Sequence, residues 1–226
     1  MNRRTFLRRG LETGGCFLAL SGLLSGQASG VSRAGGSRRA RSLRFPAILQ
    51  AEAFASAGGP DARYHALVHR EGSAAEKALL TTPFPDQEVA RTFRDQGARD
   101  GGGVPMSAWS LRRVPLVPQP GRRVRGSRVR LVVEWDGWRR PRDLDSLLED
   151  PGGRGVSLRF GGNEENNHHW DSGCIVCLFS CPGGVVSNAH YTIRDHVRDV
   201  TSFSPVSDLP PDGTEVTVTL ELVQDG

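Results

Sequence analysis

Two stretches alternate apolar and polar residues strictly enough to predict strands with one buried face. In residues 127–135, Val129, Leu131, Val133 and Trp135 alternate with Arg128, Arg130, Val132 and Glu134, the period of a pleated chain. Near the C-terminal end Val216, Val218, Leu220 and Leu222 alternate with Glu215, Thr217, Thr219 and Glu221. Shorter segments of strand character lie at 64–68 and 78–82, separated by the turn-like Arg70-Glu71-Gly72-Ser73, and alternation resumes at Val156, Leu158 and Phe160. After Pro85 the period lengthens: Asp86 is placed as an N-cap, Val89, Ala90 and Phe93 share one helical face, and Gly97 can end the helix. Pro141-Arg142-Asp143 opens a second short helix with Leu144, Leu147 and Leu148 inward, closed by Pro151-Gly152-Gly153. Residues 99–122, with Gly101-Gly102-Gly103 and several prolines, read as a long surface connection. The pattern predicts a single α+β domain, mostly antiparallel sheet with two short helices.

The first thirty residues follow a different logic. Arg3-Arg4-Thr5-Phe6-Leu7 precedes a weakly apolar run from Cys16 to Leu24 and small residues up to Gly30, the parts of a twin-arginine export signal. The run is too short and too rich in Gly and Ser to span a bilayer stably. The expected location is therefore periplasmic or extracellular. Residues 31–44, rich in Gly, Ser and Arg, read as a basic disordered linker, which leaves 45–226 as the domain.

That division changes the charge argument. The formal net charge is +4, but residues 1–30 contribute +3 and 31–44 contribute +5, so the chain from Phe45 onward carries −4. The basicity belongs to the leader, and nucleic acid is not an expected partner. Lys77 is the single lysine, so the arginine excess reads as a compositional bias.

The densest chemistry lies at 161–184. Cys174, Cys177 and Cys181 form a CxxC with a third cysteine four residues on, a spacing that suits thiolate coordination of zinc or an iron–sulfur cluster. His169 and Asp171 are near enough in sequence to complete the ligand set, with His168 beside them. Asp171, Cys174, Cys177, Cys181 and Pro182 overlay a bacterial ferredoxin run whose first cysteine is replaced by Asp, but apart from Cys16 in the leader no further cysteine exists for a second cluster. Against ligation stands a geometric objection. If 174–179 were one strand of a hairpin returning through 185–193, Cys174 and Cys177 would face opposite ways, and Cys177 and Cys181 would stand roughly 13 Å apart. The cysteines would then be packing residues of a structural or binding module, with the polar loop 163–171 as a surface for a protein partner. Both readings stand at this level.

Other constellations carry less. His65 and His69, four apart on a predicted strand, are too distant for a two-histidine site. Glu164 and Glu165 lack the spacing of a calcium loop. Neither a phosphate loop nor a GxSxG elbow occurs.

Several blocks together carry a family resemblance: Tyr64-His65-Ala66-Leu67-Val68, the stretch from Gly72 to Leu80, Gln96-Gly97-Ala98, Val124-Arg125-Gly126, the Gly173-Cys174 to Gly184 segment, and Leu209-Pro210-Pro211 through Val218. In these the chain resembles the YdjY-type domain of bacterial exported proteins. The resemblance implies an extracytoplasmic domain of uncharacterised activity, for which a metal or iron–sulfur role is a suggestion, and it carries over no catalytic residues.

Overall fold

The computed structural model describes residues 42–58 and 63–223; the expected export signal and residues 31–41 of the expected linker lie outside the described residues. The first strand, β1 (Ser42–Leu49), begins inside the segment read as linker and buries Leu43, Phe45, Ala47 and Leu49 on one face. It is followed by helix α1 (Ala51–Ser56), β2 (His65–His69) and β3 (Ala78–Thr82). Helix α2 (Asp86–Asp95) then lays Val89, Ala90 and Phe93 on the core, Phe93 meeting Phe160 edge-on at 5.6 Å. Gly97, at φ +82°, follows its end as expected.

The span read as a surface connection holds a short helix, α3 (Met106–Ser110), and buries Val104 and Ala108, which join Val124 and Ile193 in a small cluster of their own. Strand β4 (Arg128–Glu134) comes next, then β5 (Arg142–Asp143). The second expected helix is a 3-10 turn, Leu144–Leu147, and Leu148 already belongs to β6 (Leu148–Glu149). The chain continues through β7 (Leu158–Phe160), α4 (Glu164–Trp170), β8 (Cys174–Cys177), β9 (Val186–Asn188), α5 (Ile193–Val197), β10 (Ser204–Pro205) and β11 (Glu215–Val223).

The strands run β11-β1-β3-β2-β8-β9-β7-β4, and β4 pairs back onto β11, so eight strands close a barrel, with β5 on β4 as a ninth strand outside it. This corrects the expected fold class. The domain is a mixed β-barrel with a few short helices, neither a conventional α+β domain nor an open antiparallel sheet. Two pairings make it mixed: β2 with β3 and β8 with β9 are parallel. Closure comes from β11, whose residues 215–221 pair with β1 while residues 217–223 pair with β4. Closing the sheet removes the exposed edges that an open one would leave. Inward residues of these strands, including Leu131, Val133, Val218 and Leu220, join the main core with α2 and the cysteine segment. No helix among the described residues is long and apolar enough to cross a membrane.

Asp150 ties the loop after β6 to the core. Its carboxylate accepts hydrogen bonds from the Tyr191 hydroxyl (2.6 Å), the Thr201 hydroxyl (2.5 Å) and the Gly155 amide (2.7 Å). Burial alone would raise its pKa, but these bonds, with that from Gly152, outweigh it and hold the carboxyl below its ordinary 3.8. A group whose folded pKa is depressed stabilises the fold above its unfolded pKa and loses that contribution as the pH falls through the folded value. Asp150→Asn should therefore lower the urea midpoint at pH 7, with the gap to the parent closing below about pH 4. A gap independent of pH would show that the carboxylate charge is not what matters.

Candidate metal centre

Strand β8 lies between β2 and β9. Against β2 its register is irregular: His65 faces Cys177, Leu67 faces Val176 and Val68 faces Cys174, with shifts on both sides of Leu67. Such an irregularity re-aims side chains that a regular pleat would send to opposite faces. Cys174 Sγ lies 2.8 Å from Cys177 Sγ and 3.2 Å from His65 Nδ1. Donor atoms of His65, Cys174 and Cys177 all fall within 4.8 Å of one another.

Beyond Cys177 the expected hairpin is absent. Residues 178–185 cross over to β9, which runs parallel to β8, and Cys181 sits on this crossover rather than on a returning strand. Its sulfur accepts the Gly183 amide at 3.2 Å. The geometric objection to ligation assumed regular pleating, and it does not apply to Cys174 and Cys177; Cys181 lies outside the group of donors that all fall within 4.8 Å of one another. All three cysteines are free thiols, 1%, 0% and 5% exposed, whereas His65 is only partly buried.

The polar segment 163–171 forms much of the support. Asn163 Nδ2 donates to the carbonyls of Cys181 (2.9 Å) and Gly184 (3.2 Å), Asn166 Nδ2 to Pro182 (2.9 Å) and Asn167 Nδ2 to Cys174 (2.9 Å). Three side chains from one turn and helix thus hold both ends of the cysteine segment. Tight approach does the rest: a Cβ on Gly184 would stand 2.8 Å from Cys177 Sγ and 2.8 Å from Ser187 Oγ, so that position accepts only glycine without a shift.

Electrostatics divide the thiols. Burial pushes Cys174 up, but the Cys177 thiol and the His65 imidazolium outweigh it and bring it down to about 6. Burial and both neighbouring cysteines push Cys177 well above its ordinary value. Burial also raises Cys181, yet the Cys177 thiol and the Gly183 amide leave it lowered. His65 is lowered by burial and raised more by the Cys174 thiolate. The cluster thus favours anionic sulfur at Cys174 and Cys181, the form that binds metal.

Two buried hydroxyls, Tyr64 and Ser187, have no nitrogen or oxygen hydrogen-bond partner, and Tyr64 meets only the Cys181 sulfur. Ser187 Oγ shares the Gly184 cradle with Cys177, and the Tyr64 phenol, raised by burial and then by Cys181 and Cys177, faces the same sulfurs. Buried donors beside thiols suit sulfur in its anionic, ligating state, where it can accept them. The residues present therefore fit a soft metal or cluster.

The expected auxiliary ligands lie elsewhere. Asp171 ends α4 in the left-handed conformation (φ +50°) and is exposed, and His169, on the last turn of α4, is exposed as well. Asp171 lines a separate surface groove of about 320 Å³ with His69 and His168. Glu164 pairs with Arg94. The donor that joins the thiols is His65, whose spacing to His69 offers no two-histidine site and whose sequence position gives no link to the cysteines. Its alternation in 64–68 was legible; that β8 would pair beside it was not.

The family model of the YdjY domain matches residues 37–221. Uncharacterized protein YdjY of Escherichia coli (strain K12) is 30% identical over 162 residues, which cover 71% of this chain and 68% of that protein. No solved structure matches the chain. The buried thiol cluster and all of the barrel but the last two residues of β11 lie within the matched residues, and the chain belongs to the YdjY domain family.

Proposed function

We propose that the domain holds a thiolate-ligated metal centre, zinc or an iron–sulfur cluster, bound by Cys174, Cys177 and Cys181 with His65 as the fourth donor. One observation carries this reading: three donors from two strands converge within 4.8 Å in an otherwise apolar interior. With Cys181 drawn in from the adjoining crossover, three thiolates and an imidazole would form a complete four-ligand set. Bound there, the group would supply either a cross-link between β2 and β8 or a buried electron-transfer centre. His65 and Cys174 would carry opposite charges before binding, which lowers the cost of keeping the apo site buried. Asp171 and His169 could reach the centre only after rearrangement of α4, and they are assigned no direct role.

Export of the folded chain by the twin-arginine route accords with this reading, since that route carries proteins with cofactors already inserted. Arg3-Arg4 with Phe6-Leu7 supports it, and cell fractionation would check it.

The test is metal analysis and visible absorption of protein purified without oxygen. About one zinc per chain, or iron with sulfide and a charge-transfer band, is the expected result. A folded, colourless protein that takes up neither metal would sink the proposal and leave the cysteines as packing residues.

A further inference from the structure

Between α3 and the 3-10 turn Gln119–Gly121 the chain makes an excursion whose two stems pack on each other, a compact loop with its ends together. Its tip is apolar and uncovered. Leu116 is 95% exposed and Val114 44% exposed. Leu116 also has φ +61°, a region that a bulky residue enters only at a cost, so the backbone is held in a turn that aims leucine at solvent. Arg194 of α5 braces this turn by donating to the Val117 carbonyl.

The charge around the tip is one-sided. From Gly101 to Val133 the chain has seven arginines and no acid. Arg112 and Arg113 leave one stem and Arg122 and Arg123 the other, with Arg125 just beyond. Ion pairs among the described residues go to Arg44, Arg91, Arg94, Arg130, Arg142 and Arg154. Arg113, Arg122, Arg123 and Arg125 have none, and all four are exposed. The domain is net acidic, which makes this local run of cations the more distinct.

An apolar point ringed by unpaired guanidinium groups matches the layered chemistry of an anionic bilayer surface: headgroup charge outside, acyl chains beneath. A nucleic acid would use the arginines but has no place for an aliphatic tip. We propose that the 111–123 loop is a peripheral membrane anchor, inserting Val114 and Leu116 between anionic phospholipids while Arg113, Arg122 and Arg123 hold the headgroups.

The experiment uses the full chain with vesicles of phosphatidylglycerol and phosphatidylcholine, and with phosphatidylcholine alone. Hydrogen exchange of peptides covering 111–123 reads the loop locally, so binding through other segments does not confuse the result. Slower exchange in this loop is expected on anionic vesicles, weakened by salt and absent on the zwitterionic ones. Leu116→Asp, at a fully exposed position that should not disturb folding, should abolish the protection, and Arg122→Glu with Arg123→Glu should weaken it about tenfold. Unchanged exchange in 111–123 on vesicle-bound protein would overturn the proposal. So would protection that survives Leu116→Asp, or that heparin or duplex DNA reproduces, because either outcome would reduce the loop to a polyanion patch.

Discussion

Replacing Cys177 with serine should cut metal retention at least tenfold while leaving the protein folded. Cys177 Sγ lies 2.8 Å from Cys174 Sγ, and both other cysteines act on its thiol, so its loss removes the donor nearest to Cys174. Serine nearly preserves volume but replaces a soft ligand with a hard, protonated one. It also leaves a hydroxyl in a fully buried position, costing about 1–3 kcal/mol of stability. Cys177→Ala separates the two effects, because it should lose metal equally with a different stability cost. Asp171→Ala and His169→Ala, at exposed positions, should retain the parent's metal content. Were Cys177→Ser to alter stability alone, with metal content unchanged, the cysteines would be core residues and the centre would have to lie elsewhere. Metal stoichiometry and urea unfolding on the same preparations give both readings.

Ending the chain after Gly213 should abolish the cooperative unfolding transition altogether. Strand β11 supplies Val216, Val218 and Leu220 to the core, and it pairs with β1 along one edge and β4 along the other. Its removal opens the barrel at two seams and exposes two long strand edges, a template for aggregation. A milder probe of the same closure is Leu220→Ala, which should cost about 2–5 kcal/mol by transfer and cavity terms together. If the truncated chain kept a sharp thermal transition near that of the parent, closure by β11 would not be what holds the domain together.

These two expectations differ in how far they could be read along the chain. The alternation of Val216, Val218, Leu220 with Thr217, Thr219, Glu221 declares a strand with one buried face, and Val129, Leu131, Val133 declare another. Both are present where expected. Helix α2 is equally legible, since Val89, Ala90, Phe93 and Gly97 state its face and its end locally. Elements made by fewer local signals went astray. The leucines at 144, 147 and 148 have helical spacing, yet only a 3-10 turn forms before Leu148 joins a strand. Asn163, Asn166 and Asn167 belong to a polar loop that reads as a contact surface, because polar residues usually face water. Here they spend their amides on the backbone carbonyls of the cysteine segment.

The candidate centre shows the same division. Cys174, Cys177 and Cys181 are conspicuous as a spacing, and thiolate chemistry follows from residue type alone. Whether their sulfurs meet depends on pleat, and pleat at β8 is set by its shifted register against β2. Periodicity in one strand says which residues share a face; it is silent on which strand lies alongside. That is why His65, 109 residues before Cys174, could not be joined to it in advance, while His169 and Asp171, close in sequence, were. Local alternation, turn chemistry and ligand type are properties of neighbouring residues and are written in their order. Barrel closure, parallel pairing of β8 with β9 and convergence of His65 on the thiols are long-range pairings, chosen only when the whole chain buries its apolar faces at once.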